Sequence, residues 1–82
     1  MPHAILIGDR LHQVQDLRPY FERHGHQVSA CHTADDGLAL YQQGGDLIVV
    51  DLPLPDGSAA IFLRRLFAID HRAIAVVTGT DS

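Results

Sequence analysis

The sequence has little positive charge, one cysteine and no long apolar run. Lysine and arginine together number 6 against 10 acidic residues, and they are scattered, so direct nucleic-acid binding by this segment is not expected. The lone Cys31 excludes an internal disulfide and suggests a small core residue. No apolar run approaches the roughly 20 residues that cross a bilayer, so we expect a soluble, cytoplasmic protein with no membrane partner.

What the chain does contain is enough apolar sequence for one core. Its 82 residues allow one domain at most, or part of one, and 46% of them are hydrophobic. No internal repeat, linker-like stretch or low-complexity tract divides it. The sequence therefore predicts a packed globular fold with no internal domain boundary.

Strand-like and helix-like segments alternate along the chain. Short apolar runs predict strands over 4–7, 46–50 and 74–77, and a weaker segment with polar flanks predicts an edge strand over 27–30. Apolar residues at spacings of three and four predict helices between the strands. These helices span 10–24, 34–43 and a segment from 57 or 58 to 68, with Thr33 as the cap of the second. Alternation of this kind requires parallel pairing through right-handed crossovers, so we predict a doubly wound α/β fold.

The first helix has two possible forms because Pro19 lies inside it. A proline in a regular helix interior removes one backbone hydrogen bond and costs about 3 kcal/mol. We favour a single helix bent at Pro19. The alternative is a break near Arg18, with Pro19 opening a second short helix.

Polar residues follow three of the predicted strands. Asp9 follows the first strand, Asp51 the third and Thr78 the fourth. Functional groups in parallel sheets gather where strands end at their carboxyl edge, so we expect these side chains to share a pocket. Two carboxylates there would suit Mg2+, and a carboxylate can attack phosphorus once charge is neutralised. Asp51 is the candidate nucleophile, Asp9 the metal ligand and Thr78 the hydroxyl that contacts the phosphoryl group.

Three segments carry a resemblance to a known family. Residues 51–57, DLPLPDG, resemble the phosphoacceptor loop of response-regulator receiver domains, and residues 4–9, AILIGD, and 76–78, VVT, match at similar spacings. The resemblance implies a chemotaxis-regulator-like, flavodoxin-like sheet with strand order 2-1-3-4. Residues 1–82 would form the N-terminal two-thirds of the domain, without the family's last helix, strand and helix.

The resemblance also implies a chemistry. Asp51 would accept a phosphoryl group from a histidine kinase or phosphotransfer protein, with Mg2+ at Asp9, Asp51 and the Pro53 carbonyl, and Thr78 contacting the phosphoryl group. Such a protein modifies itself, turns over no small-molecule substrate and switches an output domain or protein outside this chain. Asp56 is expected to be a turn or cap residue.

Three features depart from the family's pattern. Gly8 stands where receivers usually carry an acidic residue, so we expect weaker Mg2+ binding. Gly79 replaces the usual alanine and should loosen its loop slightly. The sequence ends at Ser82, before the family's fifth strand and the lysine at that strand's end, so the last strand would have a bare edge. Either the chain is a fragment of a longer protein, or it dimerises or swaps domains through that edge.

Two other functions compete with the receiver. A pseudo-receiver would act as a phosphorylation-independent interaction or dimerisation module, which Gly8 and the bare edge favour. A nucleotide-binding or flavin-binding domain is disfavoured, because the turn after the first strand, Gly8-Asp9-Arg10, lacks a glycine-rich phosphate cradle.

Overall fold

The computed structural model describes residues 1–10 and 15–80. Within them, strands and helices alternate as predicted, with ends within two residues of the expected ones outside the first helix. The strands are β1 (His3–Gly8), β2 (Gln27–Cys31), β3 (Leu47–Asp51) and β4 (Ala75–Thr78), and the helices are α1 (Arg18–Arg23), α2 (Ala34–Gln42) and α3 (Ala59–Ile69).

The four strands form one parallel sheet in the order β2-β1-β3-β4, which confirms the predicted order. β1 and β3 lie at its centre, and β2 is an edge strand, as its polar flanks suggested. The register pairs Gly8 with Asp51 and Asp51 with Thr78. Three strands therefore end side by side at one edge.

Side chains of the central strands alternate between two apolar layers. One layer packs Ile5 and Ile48 against α2 and α3, and it includes Phe62 and Leu66, one helical turn apart and fully buried. Burying a side chain of this size contributes roughly 1.5–3 kcal/mol. The opposite layer is smaller, with these residues packed together: Leu6, Val49, Phe21, Val28, Ala30 and Leu47. Helices thus cover both faces, as a doubly wound fold requires.

The chain around Pro19 follows the alternative interpretation rather than a single bent helix. Asp16 and Leu17 form a turn, and α1 begins at Arg18 with Pro19 in its first turn. A proline fits there because the first amides of a helix lack intrahelical acceptors. Residues 11–14 of the predicted helix lie outside the described residues.

The other two helices begin at hydroxyl caps. Thr33 accepts a hydrogen bond from the Asp36 amide through its side chain, and Ser58 does the same for Ile61. Both cap residues have extended backbone, as N-caps usually do. No helix in the described part of the chain is long and apolar enough to cross a membrane.

Candidate functional site

The predicted pocket residues lie at the carboxyl edge of the sheet. Asp51 is the last residue of β3 and Thr78 the last residue of β4, and they are register partners. Asp9 follows β1 directly and is exposed to solvent. Because β1 lies beside β3, the backbone places Asp9 one residue beyond the partner of Asp51.

The structure brings Thr78 and Asp51 into direct contact. The Thr78 hydroxyl Oγ1 lies 2.9 Å from Asp51 Oδ1, to which it donates a hydrogen bond. The hydroxyl also lies 3.4 Å from the carbonyl oxygen of Val50. The side chain of Asp51 is only 17% exposed. One of its carboxylate oxygens therefore faces an oriented protein donor, the Thr78 hydroxyl, in a largely enclosed position. The hydroxyl thus stands where it could contact a group attached to Asp51.

Arg10 is a residue at this edge that the sequence interpretation missed. Its Nη2 lies 3.8 Å from Asp51 Oδ2 and donates to the Leu52 carbonyl oxygen at 3.4 Å. The two carboxylate oxygens of Asp51 therefore face different groups, a neutral hydroxyl and a guanidinium. A basic residue two positions after a strand gave no signal for this contact, because arginine in that place is usually a solvated side chain.

Hard oxygen donors are available for a divalent cation at this edge. The carboxylates of Asp9 and Asp51 and the carbonyl of Pro53 are ligand types that Mg2+ accepts while it keeps several waters. Asp51 Oδ2 already faces the Arg10 guanidinium, so a divalent cation would have to share or take over that oxygen. Across residues 1–10 and 15–80, no three histidine, cysteine, aspartate or glutamate side chains cluster as a metal site. Any ion here would depend on few protein charges.

The loop after Asp51 is anchored by two buried leucines. Leu52 and Leu54 are buried in the larger apolar layer, while Pro53, Pro55 and Asp56 are exposed. Leu54 also forms a backbone bridge with Gly57. The buried leucines hold the backbone on which the Pro53 carbonyl and Asp51 lie.

Asp56 links this loop to α2. Its two carboxylate oxygens accept hydrogen bonds from the amides of Ala34, at 2.8 Å, and Asp35, at 3.1 Å. Partial burial raises the pKa of Asp56, but these hydrogen bonds and the nearby Arg65 outweigh it, so the pKa lies below its ordinary value. The prediction of a turn or cap residue is confirmed, although the capped helix is α2 and not the adjacent α3.

Arg65 joins α3 to the same helix end. Its Nη1 lies 2.7 Å from Asp35 Oδ1, and both side chains are largely exposed. An exposed pair of this kind contributes little stability by itself. It lies beside the helix start that Asp56 caps.

Gly79 has a more specific role than loosening its loop. Its φ is +77°, a left-handed conformation, and a Cβ built on it would lie 2.5 Å from the Leu52 carbonyl oxygen. Leu52 also donates its amide to the Thr78 carbonyl at 2.8 Å. Glycine therefore lets the chain after Thr78 approach the chain after Asp51 closely, which corrects the expectation from sequence.

Comparisons with known proteins agree with this fold. No protein-family profile matches the chain. The transcriptional regulatory protein AfsQ1 of Streptomyces coelicolor is 33% identical over 82 residues, which is 99% of this chain but 36% of that protein. The chain thus spans about a third of the length of its curated relative.

Solved structures match over nearly the whole chain. A response regulator receiver domain protein from Clostridium thermocellum gives a TM-score of 0.83 at 19% identity, covering 94% of this chain and 64% of that one. Response regulator protein TrrA from Thermotoga maritima gives 0.82 at 15% identity in its complex with Mg2+-BeF, covering 94% and 68%. In its complex with histidine kinase ThkA, TrrA gives 0.81 at 15% identity, covering 94% and 67%.

The structural matches have low sequence identity, so they show a similarity of fold. The match to AfsQ1 shows a similarity of sequence. The structural matches agree with the observed strand order β2-β1-β3-β4. The described residues therefore have the fold of response-regulator receiver structures, and the sequence is similar to part of AfsQ1.

Proposed function

We propose that this chain is the receiver of a two-component phosphorelay and that Asp51 is its phosphoacceptor. The observation that carries the proposal is the 2.9 Å hydrogen bond from the Thr78 hydroxyl to Asp51, at adjacent strand ends of the carboxyl edge. It sets a donor beside the carboxylate that would be modified. Further support comes from TrrA, a protein of the same fold that was solved with Mg2+-BeF and with a histidine kinase.

The proposed step is a phosphoryl transfer from the phosphohistidine of a histidine kinase or phosphotransfer protein. A carboxylate oxygen of Asp51 attacks phosphorus, the new O–P bond forms and the P–N bond to the imidazole breaks. The imidazole leaves with the bonding electron pair and takes a proton from solvent. Thr78 donates its hydroxyl to the anionic group, where developing charge needs a positioned donor.

Mg2+ would be held by Asp9, Asp51 and the Pro53 carbonyl in this proposal. When bound, it neutralises the charge of the attacking carboxylate and of the phosphoryl oxygens. The protein's part is to fix Asp51 at the end of a buried strand and to leave Asp9 exposed beside it. The chain would modify itself and turn over no small-molecule substrate.

The output of the switch would lie outside these residues. AfsQ1 is a transcriptional regulatory protein, of which this chain matches 36%. We therefore propose that phosphorylation of Asp51 controls an output domain or protein elsewhere, and that the protein works in the cytoplasm, where histidine kinases would donate.

Incubation with acetyl phosphate and Mg2+ tests this function. Intact-mass spectrometry should show one added phosphoryl group on the wild type and none on Asp51→Asn. A reactive receiver domain serves as the positive control. If that control gains mass while the wild type of this protein does not, phosphoryl acceptance at Asp51 is ruled out.

A second candidate is a phosphorylation-independent interaction module that pairs with another copy through β4. Val76 and Val77 of β4 are 47% and 42% exposed, and Ile74, just before the strand, is 61% exposed, so this segment offers an apolar surface in the described residues. If Val76→Lys abolishes self-association and output while Asp51→Asn changes neither, the module is the better account. If Asp51→Asn abolishes output, the phosphorylated receiver is the better account.

A further inference from the structure

Arg10 divides the surroundings of Asp51 into a neutral side and a cationic side. The Thr78 hydroxyl binds Oδ1, and the guanidinium Nη2 lies 3.8 Å from Oδ2. The same nitrogen donates to the Leu52 carbonyl at 3.4 Å, so it bridges the side chain of Asp51 and the backbone that follows. With its side chain 51% exposed, Arg10 can reach the carboxylate and can also leave it.

Among residues 1–10 and 15–80, few charged side chains belong to the strand ends around this carboxylate. Gly8, the register partner of Asp51, brings none, Asp9 brings one negative charge and Arg10 one positive charge. Divalent affinity at oxygen sites rises with the number of ligand charges, and a fixed positive charge near a ligand oxygen works against it. Arg10 therefore lowers the divalent affinity of a site to which Asp9 and Asp51 would contribute the carboxylates.

We propose that Arg10 is a built-in counter-cation of Asp51 that competes with a divalent cation for Oδ2 and sets the divalent affinity of the site. This inference rests on the proposed function only in taking Asp9 and Asp51 as the ion's ligands. A divalent cation binding at Oδ2 displaces the guanidinium, which returns to solvent. Arg10 is thus a positioning residue that governs when Asp51 is free to bind the ion.

Titration with MgCl2 tests the competition without any phosphorylation. The amide resonances of Thr78 and Gly79 report binding, since both residues adjoin the site. Arg10→Gln removes the charge and should tighten Mg2+ binding about fivefold or more, as expected for removing a unit charge about 4 Å away even at the dielectric of water. Arg10→Lys keeps a positive charge and should bind Mg2+ more weakly than Arg10→Gln does.

Arg64→Gln on the exposed side of α3 is the matched control, because it changes the net charge equally and should leave the affinity unchanged. Gly8→Asp should tighten binding and confirm that the resonances report the site. The proposal is overturned if Arg10→Gln binds Mg2+ no more tightly than the wild type, or if Arg64→Gln tightens it as much. If Arg10→Gln tightens binding and acetyl phosphate still gives no adduct, the counter-cation stands and the phosphoacceptor role of Asp51 fails.

Discussion

The carboxylate of Asp56 accepts the backbone amide of Ala34 at 2.8 Å, so the loop after the candidate phosphoacceptor caps a helix from a distant part of the chain. Asp56 also accepts a hydrogen bond from the Asp35 amide, and the Thr33 hydroxyl accepts one from the Asp36 amide. Three amides at the start of α2 that have no intrahelical acceptor are thereby satisfied. Part of this helix's stability therefore depends on the position of the loop.

Asp56→Asn should lower the free energy of unfolding by about 1 kcal/mol at neutral pH, the usual cost of a lost helix cap. An amide retains one acceptor oxygen but loses the charge that favours the helix N-terminus. Urea unfolding followed by circular dichroism measures the change. Asp36→Asn removes a charge from the same helical turn without removing the two hydrogen bonds, so it should cost less.

The pH dependence of this deficit follows from the lowered pKa of Asp56. A carboxyl whose pKa is lower in the folded state stabilises the fold above its unfolded pKa of about 3.9 and loses this contribution as the pH falls through the folded value. The difference between wild type and Asp56→Asn should be full at neutral pH and shrink in acid below about pH 4. A difference that grows on acidification would contradict the assigned cap.

Tyr41→Phe tests a second connection between α2 and α3. The Tyr41 hydroxyl donates to Asp70 Oδ2 at 2.7 Å, and burial together with the Asp70 carboxylate raises the pKa of Tyr41 to about 12. A raised pKa gives stability that is present below the unfolded value of about 10 and is lost as the pH rises through the folded value. The variant should be less stable at neutral pH, with the difference shrinking between about pH 10 and about pH 12.

Thermal unfolding at neutral pH and inside that alkaline window measures the effect. Tyr20→Phe is the control, because the Tyr20 ring is 57% exposed and the substitution keeps it. Equal alkaline behaviour of the two variants would show that the Tyr41 hydroxyl contributes nothing specific.

Gly79→Ala should destabilise the fold by about 2 kcal/mol or more, since the new Cβ meets the Leu52 carbonyl in a left-handed conformation. Gly25→Ala separates the cost of the left-handed conformation from the cost of the steric contact with Leu52. Gly25 has a φ of +85° but open space around its Cβ position, so it should incur only the conformational cost of about 1 kcal/mol. Chemical denaturation of both variants compares them, and a Gly79→Ala no less stable than Gly25→Ala would argue against the close approach.

Thr78→Val should slow phosphorylation of Asp51 by acetyl phosphate about tenfold or more, because it removes the hydroxyl donor and keeps a β-branched side chain. Thr78→Ser restores the hydroxyl and should recover most of the rate. The initial rate of mass gain at saturating Mg2+ measures both. A Thr78→Val rate equal to that of the wild type would remove Thr78 from the proposed site.

Sequence predicted the sheet and part of the site for a physical reason. A continuous apolar run such as 47–50 must be covered on both faces, which is typical of a parallel sheet, and parallel strands end at a shared edge. Asp51 and Thr78 were therefore expected together, and they are in contact. Their chemical roles and that of Asp9 remain predictions.

The contacts that sequence did not predict depend on distance and side-chain reach. Ala34 and Asp56 are 22 positions apart, and nothing local shows that a loop carboxylate will cap a remote helix. Arg10 reaches Asp51 through a long side chain, whose direction depends on the packed backbone around it. The residues around Pro19 are compatible both with one kinked helix and with a break before a new helix, so sequence alone did not decide between them.

Chemical mapping of the modified residue is the most direct test of the central claim. After treatment with acetyl phosphate and Mg2+, borohydride reduction converts an acyl phosphate on aspartate to homoserine, and peptide mass spectrometry locates it. The account predicts conversion at Asp51 alone, with none in Asp51→Asn. Conversion at Asp9 or Asp56 with Asp51 unchanged, or no conversion under conditions that modify a control receiver, would contradict it.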